Sequence, residues 1–353
     1  MTMAPPGPPA PLGTPGPVSR VGAPATRRPG ARPPARQSLN PADLFWRWLA
    51  GNKKPAPTGP DAPSPNVALA ITSLTILAAI LLSFLAQVTV LGTLKHNRDQ
   101  QVAYDDLRLS LAEGTTPVGP VETTDLDANG TAIRGPIPVR SPLAQMSIPA
   151  IGVKEIVLEG TSSSVLRSGI GHRRDTVLPG QAGTSILMGR RLVYGAPFGS
   201  LGDLNEGDPI TVLTGQGTAQ FLVVAVRRAG DIQPNALPAG GSRITLVTSA
   251  GSRFAPDGVL IVDADMTTAA FPAATPPFSS RTLPREEGPM ATEPGALKGA
   301  VGWGLLLTAG AIGVTWLRIR WGRWQGWLVG VPVLALLGTA TADHAMRLLP
   351  NLL

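Results

Sequence analysis

The sequence predicts a mainly β, exported barrel domain attached to three membrane-crossing helices and flanked by disordered Pro-rich segments. Three observations predict it. Short runs rich in Val, Ile, Thr and Leu, parted by Gly, Pro, Asn and Asp, fill residues 146 to 265. Three long apolar runs lie on either side of that region. Gly (41 residues) and Pro (37) are far above an average globular share, and the Pro crowds into stretches where it opposes helix and sheet packing.

Residues 1–65 are rich in Pro, Ala, Gly and Arg and bury too little apolar surface to offset chain entropy, so they read as a disordered tail. Within the tail, Leu44, Phe45, Trp46, Arg47, Trp48 and Leu49 fit either a helical turn at a bilayer interface or a chance apolar spot in a loop. Residues 66–92 form the first predicted membrane helix, because Val67 to Leu91 carries no charge over 25 positions. This run begins far from the first residue and lacks a cleavage region before Lys95, so it is expected to be retained. Arg20, Arg27, Arg28, Arg32, Arg36, Arg47, Lys53 and Lys54 all precede it, which is the positive-inside pattern and predicts a cytoplasmic tail and an exported middle.

Residues 93–140 read as a stalk helix, with charges among Val102, Leu107, Leu109 and Leu111, followed by a linker. Residues 141–266 form the barrel. Its candidate strands are Met146 to Ile148, Glu155 to Leu158, Thr184 to Met188, Pro209 to Leu213, Ala219 to Val226, Ile244 to Thr248 and Val259 to Val262. Residues 267–295 return to a Pro-rich linker composition. Residues 296–317 form the second predicted helix, whose Gly302, Gly310 and Gly313 offer a small face to a membrane-protein partner. A basic cytoplasmic loop, 318–326, is bracketed by interfacial Trp residues. Residues 327–349 contain Pro332 and read as a third helix, transmembrane or re-entrant.

Composition also narrows the function. With no cysteine, disulfides, thiolate metal sites and cysteine catalysis are all excluded. The three histidines, His96, His172 and His344, have no metal-site spacing, and no Gly-rich loop has phosphate-binding form, so neither metal nor cofactor is expected. The net charge of +7 is explained by the tail's topology signal rather than by nucleic-acid binding, for which no recognition motif is present.

Several motifs occur in order across the barrel region. They are Ile148-Pro149-Ala150-Ile151-Gly152-Val153, Glu159-Gly160-Thr161, Gly169-Ile170-Gly171-His172, Leu178-Pro179-Gly180, Phe198-Gly199-Ser200-Leu201 with Gly207-Asp208-Pro209-Ile210-Thr211-Val212, and Thr245-Leu246-Val247-Thr248-Ser249. Together they resemble the sortases, surface transpeptidases in which a Cys attacks the Thr-Gly bond of a Leu-Pro-x-Thr-Gly sorting signal, a His handles protons and an Arg steadies the oxyanion. Aligned on those motifs, Arg190 falls at the His position, Ser249 at the Cys position and Val259 at the Arg position.

A guanidinium stays protonated and cannot take a proton from a serine hydroxyl, so the resemblance implies a domain without catalytic residues. His172, Arg190, Ser249 and Arg253 remain as ligand-binding candidates. The leading expectation is a plasma-membrane protein whose extracellular barrel binds or scaffolds sorting-signal peptides or surface proteins. One alternative is an active transpeptidase or hydrolase using Ser249, for example with His172; another is a structural membrane protein that acts through its second helix. Leu283-Pro284-Arg285-Glu286-Glu287-Gly288 superficially copies a sorting signal but lacks its Thr.

Overall fold

A computed structural model describes residues 64–86, 90–126, 132–252 and 256–353. Nearly all of the basic tail, the Leu44 to Leu49 cluster and Arg253 lie outside the described residues. In chain order the elements are helices α1 (Pro65–Ala86) and α2 (Gly92–Glu113), a hairpin of β1 (Val121–Leu126) and β2 (Ala132–Gly135), and then strands β3 (Pro142–Ile148) and β4 (Val153–Glu159). A short helix α3 (Ser163–Leu166) leads to β5 (Ile170–His172), β6 (Gly183–Met188), β7 (Pro209–Thr214), β8 (Gly217–Arg228), β9 (Ser242–Gly251) and β10 (Pro256–Met266). Helices α4 (Ala296–Trp321) and α5 (Arg323–Arg347) follow.

Strands β3 to β10 close into a barrel in the order β10-β8-β7-β3-β4-β5-β6-β9. The expected alternation is clearest in β8, where Ala219, Phe221 and Val223 are buried while Gln220 and Leu222 are exposed. Inward side chains from every strand, including Met146, Val157, Leu187, Ile210, Ile244 and Val262, fill one core. All seven strands expected from the sequence are present, each slightly longer than its apolar run. The eighth, β5, is three residues long and pairs parallel to β4; so short a run shows no alternation to read. The β1–β2 hairpin was likewise hidden within a linker composition.

The stalk does not stand free. Helix α2, closed by Gly114 in the left-handed conformation, lays Ala103 and Leu107 against Ile156, Leu158 and Val165. The Gln100 amide donates to the Ile156 and Ser168 carbonyls (3.3 and 2.8 Å) and accepts from the Ile156 N–H (2.7 Å), so it joins the helix to β4. Gly195, at φ +78°, lies so close to His96 that a Cβ there would come within 2.3 Å of the imidazole. His96 in turn meets Glu155 at 2.9 Å.

The 267–295 stretch, expected as a free linker, is a strap along the barrel. Phe271 exchanges backbone bonds with Gly180 and Ala182. Further on, Arg174 forms a buried, bidentate ion pair with Glu287 and stacks over Phe278. Thr161 Oγ1 donates to the Glu287 carbonyl at 2.6 Å. The Leu283–Gly288 motif that copies a sorting signal is therefore held down through its second glutamate.

Helices α1, α4 and α5 are each long and apolar enough to cross a membrane. The loop expected at 318–326 is shorter than composition suggested, because the helices continue to Trp321 and restart at Arg323 with Gly322 alone between them. Gly322 adopts φ +121°, ψ +168°, a backbone state suited to glycine. The small face of α4 is also divided. Gly310 packs toward Leu337 of α5, whereas Gly302 and Gly313 have nothing within 4 Å of where a Cβ would be.

Candidate binding groove

The outer face of β6, β9 and β10 brings the sequence-aligned positions together. β6 runs parallel to β9 with Met188 opposite Val247, and the register continues through the Gly189 N–H to Val247 carbonyl bond (3.1 Å) and the Thr248 Oγ1 to Gly189 carbonyl bond (2.9 Å). β6 ends at Met188, and Arg190 follows two residues beyond it. Ser249 is paired directly with Val259 on β10. Because side chains alternate, Ser249 shares the face of Val247, which Met188 packs against, opposite the core-facing Leu187 and Leu246.

His172 is elsewhere. It pairs with Leu187, so it lies on the inner face, at 1% exposure. Its Nδ1 is 2.8 Å from Glu159 Oε2 and its Nε2 is 3.0 Å from the Val177 carbonyl, so both ring nitrogens face acceptors. This clamp ties β5 to the following turn and turns the imidazole away from Ser249.

Arg190 is 1% exposed. Its Nη2 donates to the Ser163 carbonyl (3.1 Å) and Oγ (2.6 Å), and the guanidinium lies 5.2 Å from the Tyr194 ring centre. Nε and Nη1 have no hydrogen-bond partner. Burial of this cation lowers its pKa to about 10, while burial raises that of the Tyr194 phenol. Among the described residues no ion pair includes Arg190. The neighbouring Arg191 instead ties down the end of β9, donating to the carbonyls of Ser249 (3.3 Å) and Gly251 (2.7 Å).

The groove over this face is filled by the chain itself. Leu352, fully buried, packs on Leu166, Met188 and Val247, with Ile186, Val259 and Met290 at the edge. Its carbonyl accepts from the Arg191 N–H at 3.1 Å. Asn351, also fully buried, donates from Nδ2 to the carbonyls of Thr161 and Gly288 (both 2.9 Å) and from its backbone to Ala291 (2.8 Å). Residues 351–352 thus lie between the β4–β5 connection, the strap and the end of β6. The extra cover buries Val247 from outside, while Thr245 and Arg243 further along that face of β9 are covered through their bonds to Asp263 and Asp265.

Asp343 of α5 anchors this segment from behind, receiving Arg347 (2.7 Å), Arg167 (3.4 Å) and the Tyr194 hydroxyl (3.5 Å). Sequence reasoning found Arg190, Ser249 and Val259 but missed Ser163, Tyr194, Asn351 and Leu352. No local pattern distinguishes these four. Among the described residues, no cluster of three or more His, Asp or Glu side chains is placed to hold a metal ion.

The eight-stranded closed barrel carries these motifs along its length, and a family model covers it. Residues 146–267 match the family model described as the sortase domain, so the chain carries a sortase-family domain. The curated Sortase D of Bacillus subtilis (strain 168) is 29% identical over 82 residues, 23% of this chain. The chain spans 40% of that relative's length. Among solved structures, a Clostridium perfringens sortase D5 transpeptidase is 19% identical, covering 48% of this chain and 99% of that one, with a TM-score of 0.37. Sortase E from Streptomyces avermitilis is 28% identical, covering 37% of this chain and 91% of that one, with a TM-score of 0.32.

Proposed function

We propose that this protein is a membrane-anchored, non-catalytic member of the sortase family whose barrel groove binds extended peptide segments of surface proteins. One observation supports the reading: Ser249 and Val259 are paired directly, and the apolar face beside them is covered by the chain's own residues 351–352. Acyl transfer needs a nucleophile, a base and a charge stabiliser at one point. Here Arg190, where the resemblance puts the base, is a cation that cannot serve as one, Val259 offers no donor, and the strand-borne imidazole of His172 lies on the inner face. Val259 instead helps to line the pocket of Leu352.

The helices support an orientation. Thr75 and Ile76 of α1 share a cavity with Arg318 and Trp324, while Lys95 lies 3.9 Å from Asp343 at the opposite end. With the basic tail in the cytoplasm, the α4–α5 turn lies on the same side and the barrel lies outside. On this reading α5 crosses the membrane fully and returns residues 348–353 to the barrel side.

The test is incubation of the full-length protein in detergent with fluorescent Leu-Pro-x-Thr-Gly peptides, followed by mass spectrometry. Binding without cleaved peptide or an acyl adduct on Ser249 is the expected result. Turnover that disappears in Ser249→Ala would overturn the non-catalytic reading.

A further inference from the structure

Resting on the peptide-groove reading, we infer that the groove's ligand is an acidic, apolar peptide, which places a leucine-like side chain in the Leu352 pocket and a carboxylate on Arg190, displacing residues 350–353. Two independent observations lead there. The first is the resident segment itself, which shows what the groove accepts: an apolar side chain against Leu166, Met188 and Val247, a backbone carbonyl on the Arg191 N–H, and a polar side chain bridging Thr161 and Gly288.

The second is what the resident segment leaves undone. Pro350, Asn351, Leu352 and Leu353 bring no acidic side chain, and Arg190 remains buried with Nε and Nη1 unpartnered. Neither nearby acid hydrogen-bonds to it, although the charge of Glu293 favours the cation. Glu293 accepts from the Ser164 N–H at 2.7 Å, and Asp343 is taken by Arg347 and Arg167. A buried cation short of partners is costly, and a carboxylate is the group that relieves that cost most fully through charge-assisted hydrogen bonds. The covered state is therefore poised: its apolar contacts favour the resident segment, while its unpaired guanidinium favours an acidic replacement. Such an exchange would open the groove only when the right peptide is present.

The experiment uses fluorescein-labelled peptides containing Asn-Leu, with Glu placed directly before or after the Leu, and their Gln twins. Anisotropy is read on full-length protein in detergent, as wild type and as Leu352→Ser, which weakens the resident segment. At least one Glu peptide should bind Leu352→Ser about tenfold tighter than its Gln twin, an ordinary yield for one desolvated ion pair. Wild type should bind both more weakly, because its own segment competes. Arg190→Gln in the Leu352→Ser background should erase the Glu preference, and Arg190→Lys, which keeps the charge, should retain part of it.

Equal binding of the Glu and Gln twins to Leu352→Ser would overturn this inference and leave the peptide-groove reading standing. Equal binding to wild type and Leu352→Ser would overturn the displacement. Failure of every peptide to bind Leu352→Ser would overturn the peptide-groove reading itself.

Discussion

Arg190→Met should make the barrel more stable, although it removes two hydrogen bonds and a charge. Burial holds the pKa of Arg190 down to about 10, and each unit of depression corresponds to about 1.4 kcal/mol against the charged form. The folded state therefore carries a penalty of about 3 kcal/mol for keeping this guanidinium buried beside Tyr194. Against it stand the bonds from Nη2 to the Ser163 carbonyl and hydroxyl, together worth about 1–2 kcal/mol net. Methionine has a similar length and no charge, so the variant should gain about 1–2 kcal/mol, as when other underpaired buried charges are replaced by apolar isosteres.

The sign of the pH dependence follows from the same shift. Below about pH 10 the guanidinium is charged in both the folded and unfolded chain, so the wild-type penalty is complete and the advantage of Arg190→Met should be flat between about pH 6 and 9. Above about pH 10 the folded protein releases the proton more readily than the unfolded chain does, the penalty fades, and wild type should catch up. The barrel strands contain no Trp, so the measurement is native-state hydrogen exchange of the β6 and β9 amides by mass spectrometry, on the full chain in detergent. A variant less stable than wild type by about 1 kcal/mol or more would show that Arg190 is a net stabilising group and refute the reasoning. A gain that varies within about pH 6 to 9 would refute it too.

Two further outcomes are expected. Gly195→Ala imposes a left-handed backbone on a side-chain-bearing residue and drives its Cβ into the His96 ring, so it should cost about 2–4 kcal/mol and loosen α2 from the barrel; unchanged exchange protection of the α2 amides would contradict this. Because the chain has no native cysteine, Ser280→Cys and Arg320→Cys each give one clean label. On intact cells a membrane-impermeant maleimide should react with the first and not with the second, and the reverse pattern would invert the proposed topology.

Much of the architecture was legible because it depends on local composition. Strand positions followed from short runs of Val, Ile, Thr and Leu between turn residues, and three candidate membrane helices followed from length and apolarity, since both properties are carried by adjacent residues. The motif order was enough to identify the sortase-like domain, and the resemblance singled out Arg190, Ser249 and Val259. The pairing of Ser249 with Val259 follows from the antiparallel register of β9 with β10. Register is a property of strand pairs, and a single-chain pattern does not contain it.

The contacts that make the groove what it is were decided by tertiary structure alone. His172 looked available to Ser249 in the sequence, but pairing with Leu187 turned it to the inner face. Glu287 looked like part of a linker until Arg174, 113 residues earlier, buried it. The largest gap concerns Leu352, which lies more than 100 residues from Met188 and Val247 in the chain and meets them only because α4 and α5 fold back beside the barrel. Apolar periodicity shows which side chains must leave water. Which surface receives them is determined by packing across the whole chain.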